Sequence, residues 1–267
     1  MESLSVLMPA RNEEKTISRS VKSVLGQLRD GDELIVYDDS STDKTSKILS
    51  EIESNRLRVI YGTKQIGTSR AANLLNSEAA HSLVAKLDAD DFALPGRFDY
   101  QRKVMTKGDL DFHFGCSLLR RGRVILPQPP RKLTNEKIRS RLPFDNPLTN
   151  STMISRKETI ENLGGYPDGA QQDYSLWLRA ALSGARMRRD GRYLVLRDIP
   201  IDKKKSEARN RPVALELRQE RISLYRELAG RSEIKGKEKL SDDEIWSEIL
   251  STSVQNKLVE RISRSFG

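Results

Sequence analysis

The chain has 267 residues, of which 36% are hydrophobic and 32% charged, a size that fits one sizeable domain with an appendage and not two full domains. A single cysteine, Cys116, excludes an internal disulfide bond, and two histidines argue against a histidine-rich zinc site. The net charge of +9 suits an anionic partner, but with 6% aromatic residues and no stacking motif or zinc knuckle we expect anionic lipid or a phosphorylated substrate, and no nucleic acid.

Membrane insertion and secretion are not predicted. No apolar run reaches the roughly 18 residues needed to cross a bilayer. The opening LSVLMPA is short and gives way to RNEEK, which predicts no signal peptide. Together with the single cysteine, this predicts a cytoplasmic protein.

The first hundred residues alternate strands with helices. Four apolar runs predict strands: LSVLM, ELIVY, LRVIY and SLVAKL. Three stretches between them predict helices: EEKTISRSVKSVLGQL, SSTDKTSKILSEI and SRAANLLNSEAA. This alternation is typical of βαβ units and a largely parallel sheet.

Polar residues collect where three of these strands end. They are PARNE from Pro9 to Glu13, DDSSTD from Asp38 to Asp43, and DADD from Asp88 to Asp91. Crowded carboxylates raise each other's pKa, so such a cluster indicates a bound cation, with a solvated acidic turn as the alternative. Ligands of open α/β sheets bind at the carboxyl ends of the strands, which favours a binding site with a hard, oxygen-bound cation.

The pattern changes from about Asp111. The segments DFHFGCSLL, RRGR and VILP predict a β-hairpin, and PQPP predicts an irregular stretch. Helices are predicted from Thr134 to Arg141, from Arg156 to Leu163, and over QDYSLWLRAALSG, which Gly184 closes. RYLVL predicts the last strand.

A basic run, KKKSEARNR, precedes two predicted amphipathic helices. The first spans Val213 to Leu228. The second starts at Ser241, where Glu244 completes a capping box. Its apolar side carries Ile245, Ile249, Leu258 and Ile262.

Five segments resemble the family 2 glycosyltransferases in order and spacing: LSVLMPARNEE, ELIVYDDSSTDKT, IGTSRAAN, LDADDFALPGRF and GGYPDGAQQDYSLWLRA. The resemblance covers about residues 3–200. It implies the α/β GT-A fold, a Rossmann-like nucleotide-diphospho-sugar transferase with a mixed sheet flanked by helices. We therefore expect a GT-A domain at 1–202, with a donor half at 1–110 and an acceptor half at 111–202. Residues 203–267 would form a basic linker and a C-terminal helical extension.

The resemblance implies a nucleotide-sugar donor, a UDP-sugar by family expectation, and Mn²⁺ or Mg²⁺ to neutralise its diphosphate leaving group. Asp90 matches the family's metal ligand, and Asp88 matches the acid near the ribose or a metal-bound water. Ala89, between them, is assigned to the donor site. Asp91 either supports this pair or caps a turn.

Further donor contacts are implied at the first two strand ends. Asp39 matches the acid that reads the nucleobase edge, with Asp38 beside it; the alternative for Asp39 is a helix N-cap, for which Thr42 and Asp43 are better placed. A loop that walls in base and ribose is matched by Pro9, Ala10, Arg11 and Glu13.

Two family features are altered or uncertain here. A surface ion pair is the alternative role for Arg11 and Glu13. Where the family has an Arg before Asn73, this chain has Ala72, and Arg70 is the nearest arginine. No phosphate-binding role is therefore assigned to Arg70.

Asp173 matches the family's general base, which takes a proton from the attacking hydroxyl. Gln172 replaces the family's Glu, which removes a like charge and should leave the pKa of Asp173 lower than in the usual pair. The alternative role for Asp173 is a first-turn acid favoured by the helix dipole. Trp177 and Leu178 are expected in the core.

The role of the tail stays open at this point. Its basic residues could clamp the diphosphate, attract an anionic membrane surface, or form a solvated linker; they are Lys203, Lys204, Lys205, Arg209 and Arg211. The terminal helices could pack on the domain, form a homodimer, or lie on a bilayer near a lipid-linked acceptor at the inner face of the membrane.

The sequence thus predicts an inverting glycosyltransferase that acts on a polysaccharide or lipid-linked acceptor. One alternative is a sugar nucleotidyltransferase, although PARNEEKT lacks the glycine-rich phosphate loop that such an enzyme needs. The other is a non-catalytic nucleotide-sugar-binding or scaffold protein of the same fold. This alternative remains because Gln172 replaces the family's Glu beside the general base.

Overall fold

The computed structural model describes residues 2–169, 171–199, 217–230 and 240–252. The strands are β1 Leu4–Ala10, β2 Glu33–Asp38, β3 Leu57–Tyr61, β4 Leu83–Lys86, β5 Phe92–Ala93, β6 Phe112–Arg121, β7 Val124–Pro127, β8 Ile154–Arg156 and β9 Met187–Asp198. The helices are α1 Ile17–Leu25, α2 Thr45–Ser50, α3 Thr68–Glu78, α4 Arg97–Gly108, α5 Asn135–Arg141, α6 Lys157–Asn162, α7 Gln172–Leu182, α8 Arg218–Gly230 and α9 242–252. A 3-10 turn covers Asn150–Thr152.

The described strands form one mixed sheet in the order β3-β2-β1-β4-β8-β6-β9-β5, with β7 paired to β6. The first four strands are parallel, as the βαβ pattern predicts. Beyond them, β8 runs antiparallel to both β4 and β6, while β9 runs parallel to β6. The two sequence halves therefore share a single sheet.

Helices cover both faces of the sheet. Side chains alternate along a strand, so Leu7 of β1 joins the core under α3 and α7, and Val6 joins the core under α1 and α4. Burial on both faces explains why the central strands are continuous apolar runs. Trp177 is fully buried and packs edge-on against the rings of Phe112 and Phe114, which confirms its predicted core position.

The predicted hairpin and helices of the second half are present. The β6–β7 turn uses Gly122 at φ 61°, and α5 follows Thr134, whose hydroxyl accepts a hydrogen bond from the Lys137 amide. The last strand is longer than RYLVL predicts. β9 follows β6 over most of its length, with register irregularities near Cys116.

The C-terminal helices pack on the domain. Leu224 and Leu228 of α8 are buried in the core that contains Trp177, and Arg139 of α5 pairs with Glu227 at 2.8 Å. Of the three alternatives for the terminal helices, α8 therefore follows the first and packs on the domain.

The helix at 242–252 extends this packing. Ile245 and Ile249 are buried against Ile222 of α8. The predicted capping box is confirmed, because the Ser241 amide donates to Glu244 Oε2 at 2.7 Å and the Glu244 amide to Ser241 Oγ at 3.3 Å.

Some predictions fall outside the described residues. They concern the basic residues from Lys203 to Arg211, the start of the first terminal helix at Val213, and Leu258 and Ile262. Within the described ranges, no helix combines the length and the apolar character needed to cross a membrane.

Candidate active site

A cleft of about 830 Å³ opens beside the carboxyl ends of β1, β2 and β4. It brings together nine of the ten predicted site residues: Pro9, Ala10, Arg11, Glu13, Asp39, Asp88, Ala89, Asp90 and Asp173. The parallel strands explain this, since their carboxyl ends meet at one edge of the sheet.

Three carboxylates form an acidic cluster at this edge. Oxygens of Asp88, Asp90 and Asp91 all lie within 4.8 Å of one another. The loop is fixed from below by Ser20 of α1, whose single hydroxyl proton is shared between the backbone carbonyls of Ala89 at 2.7 Å and Asp91 at 2.5 Å. The helix therefore holds the acidic loop in place without using its carboxylates.

Asp88 is held by two side chains. Lys86 Nζ donates to Oδ1 at 2.9 Å, and Ser151 Oγ donates to Oδ2 at 2.6 Å. Burial alone would raise the pKa of Asp88, but the charge of Lys86 and these hydrogen bonds hold it well below its ordinary value. Asp88 is thus kept ionised and fixed in orientation.

Asp91 differs from its neighbours because it is buried. Burial, assisted by the charges of Asp88 and Asp90, raises the pKa of Asp91 to about 8, and Arg197 opposes this rise. Arg197 Nε lies 3.5 Å from Asp91 Oδ2 and also lines the cleft. Asp91 therefore lies beneath the cleft, beside a cationic side chain of its wall.

The two acids at the end of β2 have different surroundings. Asp39 lines the cleft, and its carboxylate accepts the amides of Ile66 at 2.7 Å and Gly67 at 2.9 Å. Asp38 is the tenth predicted residue, and it is not part of the cleft lining. Its carboxylate turns into its own loop, where it accepts hydrogen bonds from the hydroxyls of Ser41 and Ser46.

The loop after β1 is tied to the loop after β2. Asn12, at φ 55°, accepts the Thr42 amide at 2.8 Å, and its own amide donates to Ser41 Oγ at 3.0 Å. Glu13 Oε2 accepts the Thr16 hydroxyl at 2.9 Å. Arg11 is exposed at the cleft. The side-chain oxygen of Asn12 fixes one wall of the cleft.

The helix-capping prediction for this region holds in part. Asp43 Oδ1 accepts the amide of Thr45, the first residue of α2, at 2.9 Å. Asp43 thus binds the start of α2 from the residue before the N-cap Lys44, while the Asp39 carboxylate accepts the Ile66 and Gly67 amides instead.

Asp173 lies in the first turn of α7, after Gln171 in the left-handed conformation at φ 61°. Its Oδ1 accepts the Tyr174 amide at 2.8 Å. Burial raises the pKa of Asp173, the Tyr174 amide lowers it, and the charge of Asp88 raises it, with a net upward shift. Gln172 adds no charge beside it, so burial and Asp88 dominate. A carboxylate with a raised pKa is a better proton acceptor at neutral pH.

The loop before α7 is latched to α3. The Asn73 side chain donates to the Tyr166 carbonyl at 2.8 Å and accepts the Tyr166 amide at 2.7 Å. Arg70 points elsewhere: it pairs with Asp168 at 2.9 Å and is not part of the cleft lining.

Sequence reasoning missed three functional neighbours: Lys86, Ser151 and Arg197. Lys86 could have been found, because residues i and i+2 of an extended chain share a face and Lys86 precedes Asp88 by two. Ser151 and Arg197 come from distant segments, and no local pattern identifies them.

The donor set fits a divalent metal ion. Clustered carboxylate oxygens are the ligands that Mg²⁺ and Mn²⁺ prefer. Asp90 and Asp88 both line the cleft, whereas Asp91 is buried. Asp90, which matches the family's metal ligand, therefore remains the candidate for direct metal contact, with Asp88 held beside it by Lys86.

Comparisons with known proteins agree with this geometry. The sequence profile of the family described as Glycosyl transferase family 2 matches residues 5–160. The UDP-Glc:alpha-D-GlcNAc-diphosphoundecaprenol beta-1,3-glucosyltransferase WfgD of Escherichia coli is 29% identical over 177 residues, which are 66% of this chain and 68% of that protein. The O-antigen biosynthesis glycosyltransferase WbnJ of Escherichia coli is 30% identical over 186 residues, 67% of this chain and 72% of that protein.

Solved structures show the same fold. S. aureus TarS 1–349 in complex with UDP-GlcNAc has a TM-score of 0.67 at 20% identity and covers 94% of this chain and 72% of its own. The mannosyltransferase PcManGT from Pyrobaculum calidifontis, in complex with GDP-Man and Mn²⁺, has a TM-score of 0.60 at 17% identity, covering 93% and 73%. The predicted GT-A fold is confirmed, and with the profile match over more than half of its length, the chain belongs to glycosyl transferase family 2.

Proposed function

We propose that this protein is a metal-dependent, inverting glycosyltransferase that moves a sugar from a nucleotide-diphosphate sugar to an acceptor hydroxyl. One observation carries the proposal: Asp88 and Asp90 of the acidic cluster line the same cleft as Asp173. A metal-binding edge and a base with a raised pKa are the two elements that sugar transfer from a diphosphate needs.

The donor would lie along the strand ends. Asp39 and the loop of Pro9, Ala10, Arg11 and Glu13 would enclose the nucleoside, with Asp88 and Ala89 near the ribose. Bound at Asp90 with Asp88 beside it, Mn²⁺ or Mg²⁺ would neutralise the diphosphate leaving group. Asp38 would contribute by holding the loop that carries Asp39. UDP is the nucleotide we favour, because TarS was solved with UDP-GlcNAc and WfgD is named for UDP-Glc.

Asp173 would act as the general base. Its carboxylate would accept the proton of the acceptor hydroxyl while the hydroxyl oxygen displaces the nucleoside diphosphate from the opposite face of the sugar. A single displacement inverts the anomeric centre and needs no carboxylate nucleophile. Such a base contributes roughly 10²–10⁴ in rate.

The acceptor proposed is a polysaccharide or a lipid-linked glycan. Relatives with named acceptors or pathways support this class: WfgD is named for a diphosphoundecaprenol acceptor, WbnJ for O-antigen and AmsE of Erwinia amylovora for amylovoran biosynthesis. We place the enzyme in the cytoplasm at the inner face of the membrane, a location that suits a lipid-linked acceptor.

The domain division also remains our proposal: a GT-A domain at 1–202, with donor half 1–110 and acceptor half 111–202, and an extension at 203–267. A homodimer through the C-terminal helices stays a prediction. Most apolar residues of those helices that the structure describes are already buried within one chain, although Leu250 is 44% exposed.

Calorimetric titration with UDP, GDP and their common sugars tests the donor site. We expect binding of UDP-sugars in Mn²⁺, its loss in EDTA, and its loss in Asp90→Ala. Asp168→Ala is the matched control, since Asp168 pairs with Arg70 on the exposed surface. Failure of every nucleotide to bind would reject the proposal.

Turnover separates the enzyme from a non-catalytic binding protein. Asp173→Asn should bind the donor as the wild type does and lose transfer to the acceptor. Transfer that survives in Asp173→Asn would remove Asp173 from the mechanism, and donor binding without any transfer in the wild type would favour the scaffold alternative.

A further inference from the structure

The strand β7 presents an unusual apolar surface. Val124, Ile125 and Leu126 are 57%, 50% and 53% exposed, and no other large hydrophobic side chain in the described ranges is more exposed. Successive side chains of a strand point to opposite faces. Exposure of three in a row therefore means that β7 projects with both faces uncovered.

The outer edge of β7 is also unpaired within the described residues. β7 pairs with β6 through Leu119↔Leu126 and Arg121↔Val124, and the sheet order gives it no second neighbour. An apolar edge strand with open faces is an aggregation hazard unless something covers it. An exposed apolar edge of this kind is a candidate binding surface for a partner.

The charge around the strand identifies the kind of partner. The 112–134 segment contains no Asp or Glu, and its cations are Arg120, Arg121, Arg123, Arg131 and Lys132. Arg120 pairs with Asp198 at 2.6 Å. The other four are exposed and form no ion pair within the part of the chain that the structure describes. The surface is apolar at its centre and cationic at its rim.

A second, basic cleft lies at the base of the hairpin. Its volume is about 440 Å³, and its lining consists of Arg131, Lys132, Leu133, Lys137, Ser140 and Arg141. Arg131 follows the end of β7 by four residues, so the cleft begins within about 14 Å of the strand. Several cations around one cavity suit the phosphate of an anionic headgroup.

We propose that the β6–β7 hairpin docks the protein onto an anionic phospholipid bilayer. Val124, Ile125 and Leu126 enter the boundary between headgroups and acyl chains, while Arg121 and Arg123 contact headgroup phosphates. An apolar centre with a cationic rim is the pattern by which peripheral proteins bind anionic membranes. The basic cleft holds one headgroup beside the strand.

This docking orients the active-site cleft. Leu126 lies opposite Leu119, and Leu119 lies opposite the cleft residue Arg197. Two strand spacings are about 10 Å, so the inserted strand lies close to the wall of the cleft. A bound bilayer would therefore meet the protein beside its catalytic edge. The inference goes beyond the proposed function, because membrane binding requires neither donor nor turnover.

Vesicle sedimentation with the full chain tests the docking. Vesicles of phosphatidylcholine with 30% phosphatidylglycerol should bind the wild type, and phosphatidylcholine alone should bind it far less. The triple variant Val124→Ser, Ile125→Ser, Leu126→Ser should bind about tenfold more weakly. Circular dichroism checks that the triple variant folds. We expect it to fold because the three replaced side chains are exposed.

A matched charge control separates the hairpin from net charge. Arg121→Gln with Arg123→Gln should weaken vesicle binding, whereas Lys22→Gln with Lys103→Gln, two exposed lysines elsewhere, should not. Equal losses in the two double variants would overturn the proposal in favour of non-specific attraction.

A local probe excludes the basic tail as the source of the signal. Ile125→Cys carrying an environment-sensitive fluorophore should brighten and shift to the blue with anionic vesicles; Cys116 is buried and should not label. An unchanged spectrum under conditions where the protein sediments with vesicles would overturn the insertion. A concentration-dependent change without vesicles, matched by a dimer in light scattering that the triple variant abolishes, would overturn it in favour of self-association through β7.

Discussion

The ammonium group of Lys86 lies 2.9 Å from a carboxylate oxygen of Asp88, although the Lys86 side chain is only 2% exposed. A cation so deep in the sheet needs an anionic partner, and Asp88 supplies it at the rim of the cleft. One of the carboxylates of the acidic cluster is therefore neutralised by the protein itself. The cluster as a whole carries less negative charge than its sequence indicates.

This pair predicts a metal-dependent change in stability. Lys86→Met leaves Asp88 without its cation and should lower the free energy of unfolding by about 1–3 kcal/mol, a moderate loss because Asp88 is partly exposed to water. Mn²⁺ should raise the unfolding midpoint more in this variant than in the wild type, since a bound ion would replace the lost charge.

Urea unfolding with and without Mn²⁺ measures both effects. Adding Asp90→Ala to Lys86→Met is the control, and it should abolish the extra stabilisation by Mn²⁺. An equal response to Mn²⁺ in wild type and Lys86→Met would contradict the metal assignment at this edge.

A pH profile of turnover should report Asp173. The base works in its ionised form, so the transfer rate falls as the pH drops through the pKa of Asp173, which burial and the charge of Asp88 raise above the ordinary value. Gln172→Glu places a like charge beside Asp173 and should move the acidic limb to still higher pH. If Gln172→Glu leaves the acidic limb unmoved, the limb belongs to another group.

The latch between α3 and the loop before α7 should be sensitive to one methyl group. A Cβ at Gly165 would lie 2.4 Å from Asn73 Oδ1, and the residue has φ +69°. Gly165→Ala should therefore disturb the Asn73 contacts with Tyr166 and lower both stability and kcat. Gly184→Ala is the matched control, because Gly184 has φ +82° and nothing within 4 Å of its added Cβ.

The two variants share the backbone cost of a left-handed residue, roughly 1–2 kcal/mol. The difference between them in urea unfolding thus measures the clash with Asn73. Equal stability and equal kcat in the two variants would show that the latch does not matter.

A buried ion pair at the opposite end of the sheet predicts acid sensitivity. Arg102 of α4 pairs with Asp32, and the side chains are 2% and 1% exposed. Burial raises the pKa of Asp32, but the hydrogen bonds from Arg102 and the Arg29 amide, with the Arg102 charge, outweigh it and lower the pKa. The pair's contribution is fully present above the ordinary pKa near 4 and is lost as the pH falls through the lowered value.

Arg102→Met should cost about 3–5 kcal/mol of unfolding free energy at pH 7, since it leaves a buried carboxylate without its partner. Asp32→Asn should make the free energy of unfolding depend less on pH below about 4. Asp30→Asn, at an almost fully exposed neighbour, is the control and should retain the wild-type pH dependence. An Asp32→Asn protein that still loses stability in acid as the wild type does would assign the effect to other carboxylates.

Much of the cleft could be predicted from sequence. Strands that alternate with helices place Asp39, Asp88 and Asp90 after parallel strands, and parallel strands have their carboxyl ends at the same edge of the sheet. The capping box at Ser241 was equally predictable, since it depends on residues three apart. Local spacing determines such features.

Tertiary structure alone decided how each carboxylate behaves. Ser151, 63 residues from Asp88, fixes its orientation. Lys86 and Ser151 lower the pKa of Asp88, whereas burial and the charge of Asp88 raise the pKa of Asp91 against the opposing charge of Arg197 on β9. It also turned Asp38 away from the cleft and left β7 uncovered. The sequence determined where charges lie along the chain; burial and long-range pairing, which depend on how the strands assemble, determined which of them bind a ligand and which support the fold.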